Sequence, residues 1–183
     1  MQTKTEATIE DLYNAPDDGN YELVDGKLVK MSPTGDDPNF TSGEIFASLR
    51  EFVRETGKGR ARSDGVAYVV DLPNRKSFSP DASFSYSRGG MRFVNGAPLL
   101  AVEVRSEHDH GPAANRAYER KRADYFAAGT EVVWDVNPVT QTVTSYRRSM
   151  PDDPIVFRPG DMARAESVLP GWEIAVDDLF DYD

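Results

Sequence analysis

No cysteine occurs in the 183 residues of this chain, which excludes a disulfide framework, a thiolate nucleophile and sulfur-rich zinc sites. Such a composition suits a reducing compartment, and a cytoplasmic location is the expectation. Histidine is nearly as scarce. His108 and His110 stand in Ser106-Glu107-His108-Asp109-His110-Gly111, and two imidazoles without further ligands at a recognised spacing make a weak transition-metal signal. No apolar run approaches the roughly 18 residues of a membrane span, and the opening MQTKTEATIEDL lacks the basic-then-apolar-then-small order of a secretory signal. Neither a P-loop nor a Gly-x-Ser-x-Gly elbow is present, which removes two large classes of nucleotide and acyl chemistry. Positive charge is also short. Lys and Arg number 21 against 31 Asp and Glu, a net charge of -10, and this argues against a general nucleic-acid coat. It leaves room for a nuclease, whose cleft needs carboxylates for metal and only local basic residues for phosphate. Arg60 with Arg62, Arg88 with Arg92, and the segment from Arg116 to Arg122 are the candidate patches.

What is there reads as one soluble α/β domain over 1–183, with 39% apolar and 28% charged residues and enough length for a real core. Ile9 to Tyr13 predicts a short helix. Tyr21–Val24 and Lys27–Met31 flank Asp25-Gly26, the strongest short-range hairpin signal. Ser32 to Pro38 reads as a loop, followed by a helix on Ile45, Leu49, Phe52 and Val53 that stops at Gly57. Three strands are expected at Val66–Val70, Asp81–Tyr86 and Leu99–Val104, joined as a meander through turn-rich connections at Pro73–Ser79 and Ser87–Ala97. A helix from Gly111 to Ala128 is closed by Gly129, and strands follow at Glu131–Val136 and Thr142–Arg147. In the tail, Ile155–Phe157 and Trp172–Ile174 read as short strands and Val176–Phe180 as a turn of helix. The helix between the third and fourth strands permits a crossover to a parallel neighbour, hence a central mixed sheet flanked by helices. The core is expected over about 41–136, with an N-terminal hairpin at 21–31 and a C-terminal β extension at 142–180.

Glu103 is the anomaly of the chain, a carboxylate inside Leu99-Leu100-Ala101-Val102-Glu103-Val104. An ionised carboxylate taken out of water must be paired, hydrogen-bonded or bound to a cation. Asp81 heads the preceding strand after Pro80. If the two strands are antiparallel neighbours, both carboxylates lie at one end of the sheet and can share Mg²⁺, which typically takes one or two carboxylates plus water and substrate phosphate. The competing readings are a strand-start role for Asp81 and a buried ion pair of Glu103 with Arg105 or Arg122. Lys121 is the third candidate. At 100° per residue, Ala114, Ala117, Tyr118, Tyr125 and Ala128 fall within about 60° of it, so it sits in the inward stripe of its helix. From there it either snorkels to water or reaches the carboxylates, where it would position a nucleophilic water and stabilise phosphoryl charge. Arg105, two residues after Glu103, is a fixed cation that does not release a proton, so it suits phosphate binding better than water activation. Glu22 in the hairpin and Glu44 near the start of a helix are rival further carboxylates.

Taken in order, Tyr21-Glu22-Leu23-Val24-Asp25-Gly26-Lys27-Leu28, Met31-Ser32-Pro33, Pro80-Asp81, Ala101-Val102-Glu103-Val104 with Ser106, Lys121 four before Tyr125, Ala128-Gly129 and Val133-Trp134-Asp135-Val136-Asn137-Pro138 resemble the Uma-two family of restriction-endonuclease-like proteins, within the PD-(D/E)XK nuclease superfamily. The resemblance runs from about Tyr21 to Phe180. It implies a restriction-endonuclease-like fold and Mg²⁺-dependent hydrolysis of phosphodiester bonds in DNA, with Mn²⁺ as substitute. It also implies that Asp81 and Glu103 are metal ligands, that the catalytic lysine has moved from the strand to Lys121, and that Glu22 rather than Glu44 fills the N-terminal acidic position. The expected site is therefore Asp81, Glu103 and the Val104 carbonyl on the metal, Glu22 in support, Lys121 on the nucleophile, and Arg105 and Arg122 on phosphate. The chain departs from the family in carrying Pro38-Asn39 where a histidine commonly precedes the first long helix. A homodimer cutting one strand per site is the expected assembly, with no membrane and no small-molecule cofactor. The competing functions are a non-catalytic binding or assembly domain on the same fold, and an RNA or structure-specific nuclease.

Overall fold

Asp25 at φ 48° and Gly26 at φ 66° give the left-handed pair that a two-residue hairpin turn requires. That turn joins β1 (Tyr21–Val24) to β2 (Lys27–Lys30), just as Asp-Gly predicts. The computed structural model describes residues 6–166 and 168–182. Before the hairpin, Thr8 closes a capping box on α1 (Ile9–Tyr13). After it comes α2 (Asp36–Thr56), which starts earlier than expected. Pro38 lies inside its first turn, where an N–H has no helical partner and its loss costs nothing, so part of the expected Ser32–Pro38 loop is helix.

The chain continues through β3 (Arg60–Ser63), β4 (Tyr68–Val69), β5 (Ser77–Phe78), β6 (Ala82–Ser85), β7 (Val94–Asn95) and β8 (Leu100–Val104) to α3 (Pro112–Ala128). Beyond it lie β9 (Val132–Asn137), β10 (Thr142–Arg147), β11 (Met150–Phe157), β12 (Met162–Arg164), β13 (Glu173–Ala175) and a 3₁₀ turn at Asp177–Leu179. Six strands form the central sheet in the order β11-β10-β9-β8-β6-β3. Only β8 and β9 run parallel, joined through α3; every other neighbour in this sheet is antiparallel. The result is the mixed sheet flanked by helices that the element order implies.

The first strand of that sheet is β3 rather than Val66–Val70. Arg-Ala-Arg-Ser has no apolar alternation, yet Arg62 is buried because its guanidinium donates to Tyr68 Oη (3.1 Å), Ser85 Oγ (2.8 Å) and the Ser87 carbonyl (2.5 Å). Those neutral acceptors bind three of its five N–H groups in the interior, and it is no longer available as the phosphate-binding patch its sequence neighbourhood suggests. The apolar Val66–Val70 stretch contributes β4 to a small side sheet, β5-β4-β7.

Two apolar layers follow from strand alternation. Leu100, Val102 and Val104 pack with Ile45 and Leu49 of α2, Phe84 and Trp134, while Ala101 packs with Tyr68, Phe78, Val133 and Tyr125 of α3. Glu103 therefore shares a face with Ala101, under α3.

Candidate active site

Strand pairing brings the first two carboxylates together. β6 and β8 are paired at Ala82↔Val102 and Ser83↔Ala101, and one further step of that register sets Asp81 opposite Glu103. Asp81 continues the ladder through its own N–H to the Val102 carbonyl (3.0 Å). Its carboxylate Oδ2 then accepts the Val104 N–H at 2.6 Å.

Glu103 is 8% exposed and both its oxygens are used. Lys121 Nζ, arriving from α3, donates to Oε2 at 2.7 Å, and Tyr125 Oη donates to Oε1 at 2.6 Å. Lysine and tyrosine are one helical turn apart, so a single helix face clasps both lone-pair edges of one carboxylate. Lys121 Nζ also lies 3.1 Å from Glu22 Oε1. Glu22, in β1, is buried and accepts the Ser79 N–H at 2.9 Å and Arg75 Nη1 at 2.5 Å. Arg75 in turn binds Asp124 through Nε at 3.0 Å, Asn74 holds the other oxygen of Asp124 at 3.0 Å, and the guanidinium covers the Phe78 ring at 4.8 Å.

Charges alternate along this row, from Asp124 through Arg75, Glu22 and Lys121 to Glu103. Asp81 ends it without a cation among the described residues. With every group ionised, four carboxylates against two cations give the row a surplus of two negative charges, and Asp81 is the carboxylate at its end. Burial, followed by the charge of Glu103, pushes Asp81 up to about 7 against the pull of the Val104 N–H and Lys121. Burial also raises Glu103, with Lys121 opposing and Glu22 adding to the rise. Glu22 goes the other way: burial opposes its charge, but Lys121 and Arg75 hold it below the usual carboxylate range. For Lys121, burial favours the neutral amine, yet Glu103 and Glu22 outweigh it and keep the ammonium charged well above neutral pH. The group is a fixed donor, and water facing it meets an N–H rather than a base.

A divalent cation fits the donor set. Asp81 Oδ1 has no hydrogen-bond partner among the described residues, carboxylate oxygens have lone pairs beyond those used here, and two neighbouring hard carboxylates, whose ionisation a cation would favour, match a small dication. Among the described residues no three His, Cys, Asp or Glu side chains converge on one point, so such an ion would be completed by backbone oxygen and water. His108 and His110 are exposed in the loop before α3.

Arg105 does not pair with Glu103. Its guanidinium makes a two-pronged bond to Asp135, 2.7 Å on each side, donates to the Asp109 carbonyl (3.0 Å) and Asn115 Oδ1 (2.7 Å), and lies 4.5 Å from the Tyr118 ring centroid. Arg122 sits 3.6 Å above the Tyr146 ring and lines a small cavity with Glu103, Lys121 and Asp135. Glu44 is carried by α2, on the far face of the sheet from Glu103. Sequence reasoning missed Arg75 and Asp124. Arg75 lies in the polar Pro73–Ser79 connection, where nothing local marks it, whereas Tyr125 is visible as the partner of Lys121 one turn along the inward stripe.

The profile of the Uma2 family, described as "Putative restriction endonuclease", matches residues 7–177. Among solved structures, a putative nuclease belonging to DUF820 from Anabaena variabilis ATCC 29413 superposes with a TM-score of 0.75 at 20% identity, covering 94% of this chain and 97% of that one. That likeness shows a shared fold. No curated protein matches the sequence. The family match spans nearly the whole chain, from before the hairpin to the final 3₁₀ turn, and the chain belongs to the Uma2 family of putative restriction endonucleases.

Proposed function

We propose that this protein is a Mg²⁺-dependent endonuclease that hydrolyses phosphodiester bonds in DNA, with Mn²⁺ able to substitute. The observation that carries the reading is the row of alternating charges that ends at Asp81, a carboxylate without a paired cation among the described residues, beside Glu103, whose one oxygen lies 2.7 Å from the Lys121 ammonium. Asp81, Glu103 and the Val104 carbonyl would hold the ion. A bound divalent ion supplies Lewis acidity at the phosphoryl oxygen and a more acidic water. The remaining work falls to the chain. Lys121, locked as a cation, orients the attacking water through its N–H and offsets negative charge gathering on the phosphoryl oxygens. Glu22 keeps that ammonium in place, since its own charge is pinned by Arg75 and the Ser79 N–H. Phosphate contacts fall to Arg122 and to the one N–H that Arg105 has left after its four bonds.

A homodimer belongs to the same reading. β11 ends the central sheet and leaves Met150, Ile155 and Val156 exposed at 46%, 42% and 37%, an apolar edge that a second copy would cover. The cysteine-free composition suits the cytoplasm as its place of work.

The test is cleavage of plasmid, single-stranded and branched DNA and of RNA, in EDTA and then in Mg²⁺ or Mn²⁺, with Asp81→Ala and Lys121→Ala alongside. Metal-dependent cutting of DNA that both variants lose is the expected result. Silence under every divalent ion would overturn the reading in favour of a binding or assembly domain, equal cutting by both variants would trace the activity to a contaminant, and cutting confined to RNA would overturn the substrate.

A further inference from the structure

Beside the carboxylate row lies a second feature that phosphodiester hydrolysis does not use. A cavity of about 390 Å³ opens between α1, the start of β1 and the turn after β3, lined by Tyr13, Asn20, Tyr21, Gly65, Ser79 and Phe93. Its size falls in the usual range of small-molecule sites, about 300–1,000 Å³. The cavity adjoins the candidate active site through Ser79, whose N–H holds Glu22 at 2.9 Å and which stands two residues before Asp81.

Its walls have the chemistry of a base-stacking platform. Tyr13, 42% exposed, meets Phe93 edge-on with ring centroids 5.4 Å apart, and a base stacking on the Tyr13 face that the Arg92 guanidinium covers at 4.6 Å would take the place of that guanidinium. Two polar side chains among the lining residues have no hydrogen-bond partner among the described residues: the exposed Asn20 amide and the hydroxyl of Ser79, a residue only 6% exposed. A side-chain amide offers a donor and an acceptor side by side, as a base edge does. Asp17 also lines the cavity, and its carboxylate repels a phosphate while accepting from an exocyclic amine. An uncharged planar heterocycle with polar edges satisfies all of these at once.

We propose that this cavity takes one unpaired nucleobase of the substrate strand, close to the phosphate that Asp81 and Glu103 would engage. This deepens the nuclease reading and rests on it for the identity of the strand. A base held in stacked duplex cannot enter a pocket of this kind without being extruded, so the preferred substrate is DNA that is single-stranded, or locally unpaired, next to the cut.

Binding tests this without requiring catalysis. A short oligothymidylate carrying one 2-aminopurine is titrated with the full-length protein in EDTA. Stacking on Tyr13 quenches the aminopurine emission, and Tyr13→Ala or Phe93→Ala weakens binding roughly 5- to 150-fold, the usual worth of a base–aromatic stack. Tyr13→Leu keeps the apolar bulk of α1 without the π face, and it loses the quench as well if stacking is the cause. The fully paired duplex of the same sequence binds more weakly and shows no dependence on Tyr13. Unchanged quench and affinity in all three variants overturns the proposal, as does a duplex that binds as tightly as the single strand. Quench and variant sensitivity without cleavage in any divalent ion would sink the nuclease reading and keep the pocket, whereas metal-dependent cleavage indifferent to Tyr13 and Phe93 would do the reverse.

Discussion

Asp81 is a carboxyl group whose ionisation this fold opposes, so replacing it by its neutral isostere should make the metal-free protein more stable, and only above a certain pH. The unfolded chain titrates Asp81 near 3.8, while in the folded protein burial and then the Glu103 charge push it up to about 7. At about 1.4 kcal/mol per pH unit of displacement, the folded state gives up roughly 4 kcal/mol as the carboxyl is forced to ionise. The sign is definite. Below pH 4 the group is neutral in both states and contributes nothing to the difference; between about pH 4 and 7 the folded state holds the extra proton, so stability falls as pH rises, and above 7 the loss is complete. Asp81→Asn removes the titration and can still accept the Val104 N–H through its amide oxygen. The expected outcome, from urea unfolding in EDTA, is near-equal stability at pH 4 and a gain of roughly 2–4 kcal/mol for the variant at pH 8.5, the lower figure allowing for relaxation around the site. Adding Mg²⁺ should close the gap, because an ion bound only by the folded wild type adds about 2.7 kcal/mol at a hundredfold excess over Kd. A variant that is no more stable than wild type at pH 8.5, or a gap that does not widen with pH, would refute the charge accounting and with it the case for a cation at this end of the row.

How far the sequence reaches depends on whether a residue's partner is local. The hairpin was readable because Asp25-Gly26 specifies its own turn, and α3 because Gly129 and the stripe through Lys121 and Tyr125 are properties of one helix. The parallel β8–β9 pair followed from a helix standing between two apolar strands. Failures occurred where a distant acceptor overrode local pattern. β3 is polar by composition and became a central-sheet strand because Ser85, Tyr68 and Ser87 are brought to Arg62 by the rest of the chain. Arg75 is the same case at the site: its partners Glu22 and Asp124 come from β1 and α3, and no spacing within Pro73–Ser79 announces them. Glu103 was legible as an anomaly because a buried charge is costly whatever surrounds it. Lys121 was legible as one candidate to compensate it, from the inward stripe of its helix; that Tyr125 donates to the other oxygen became visible only when α3 was laid on the sheet.

Three further outcomes are expected. Gly59→Ala should lose about 2–4 kcal/mol in urea unfolding, since φ is +74° and a Cβ there overlaps the Phe84 ring, adding overpacking to backbone strain. Arg75→Met should cost about 3 kcal/mol, because it leaves half-buried Asp124 without its cation and buried Glu22 with Lys121 alone; adding Glu22→Gln should restore part of that loss, and a double-mutant cycle reading no coupling would show that the ion pair is incidental. The last concerns what Lys121 does. If its ammonium orients water and offsets phosphoryl charge, Lys121→Met should lower the single-turnover rate about 10²- to 10³-fold, the usual worth of a preorganised donor, with circular dichroism confirming that the variant is folded. The shape of the wild-type profile then decides between donor and base. Burial alone would pull Lys121 toward neutrality, but Glu103 and Glu22 reverse this and hold it above the ordinary lysine range. A donor that stays protonated predicts that Lys121 imposes no change in rate between pH 8 and 10. A base that must first lose its proton predicts a rate climbing about tenfold per pH unit over the same interval, in proportion to the free amine, and a climb that disappears in Lys121→Arg would overturn the role assigned to it here.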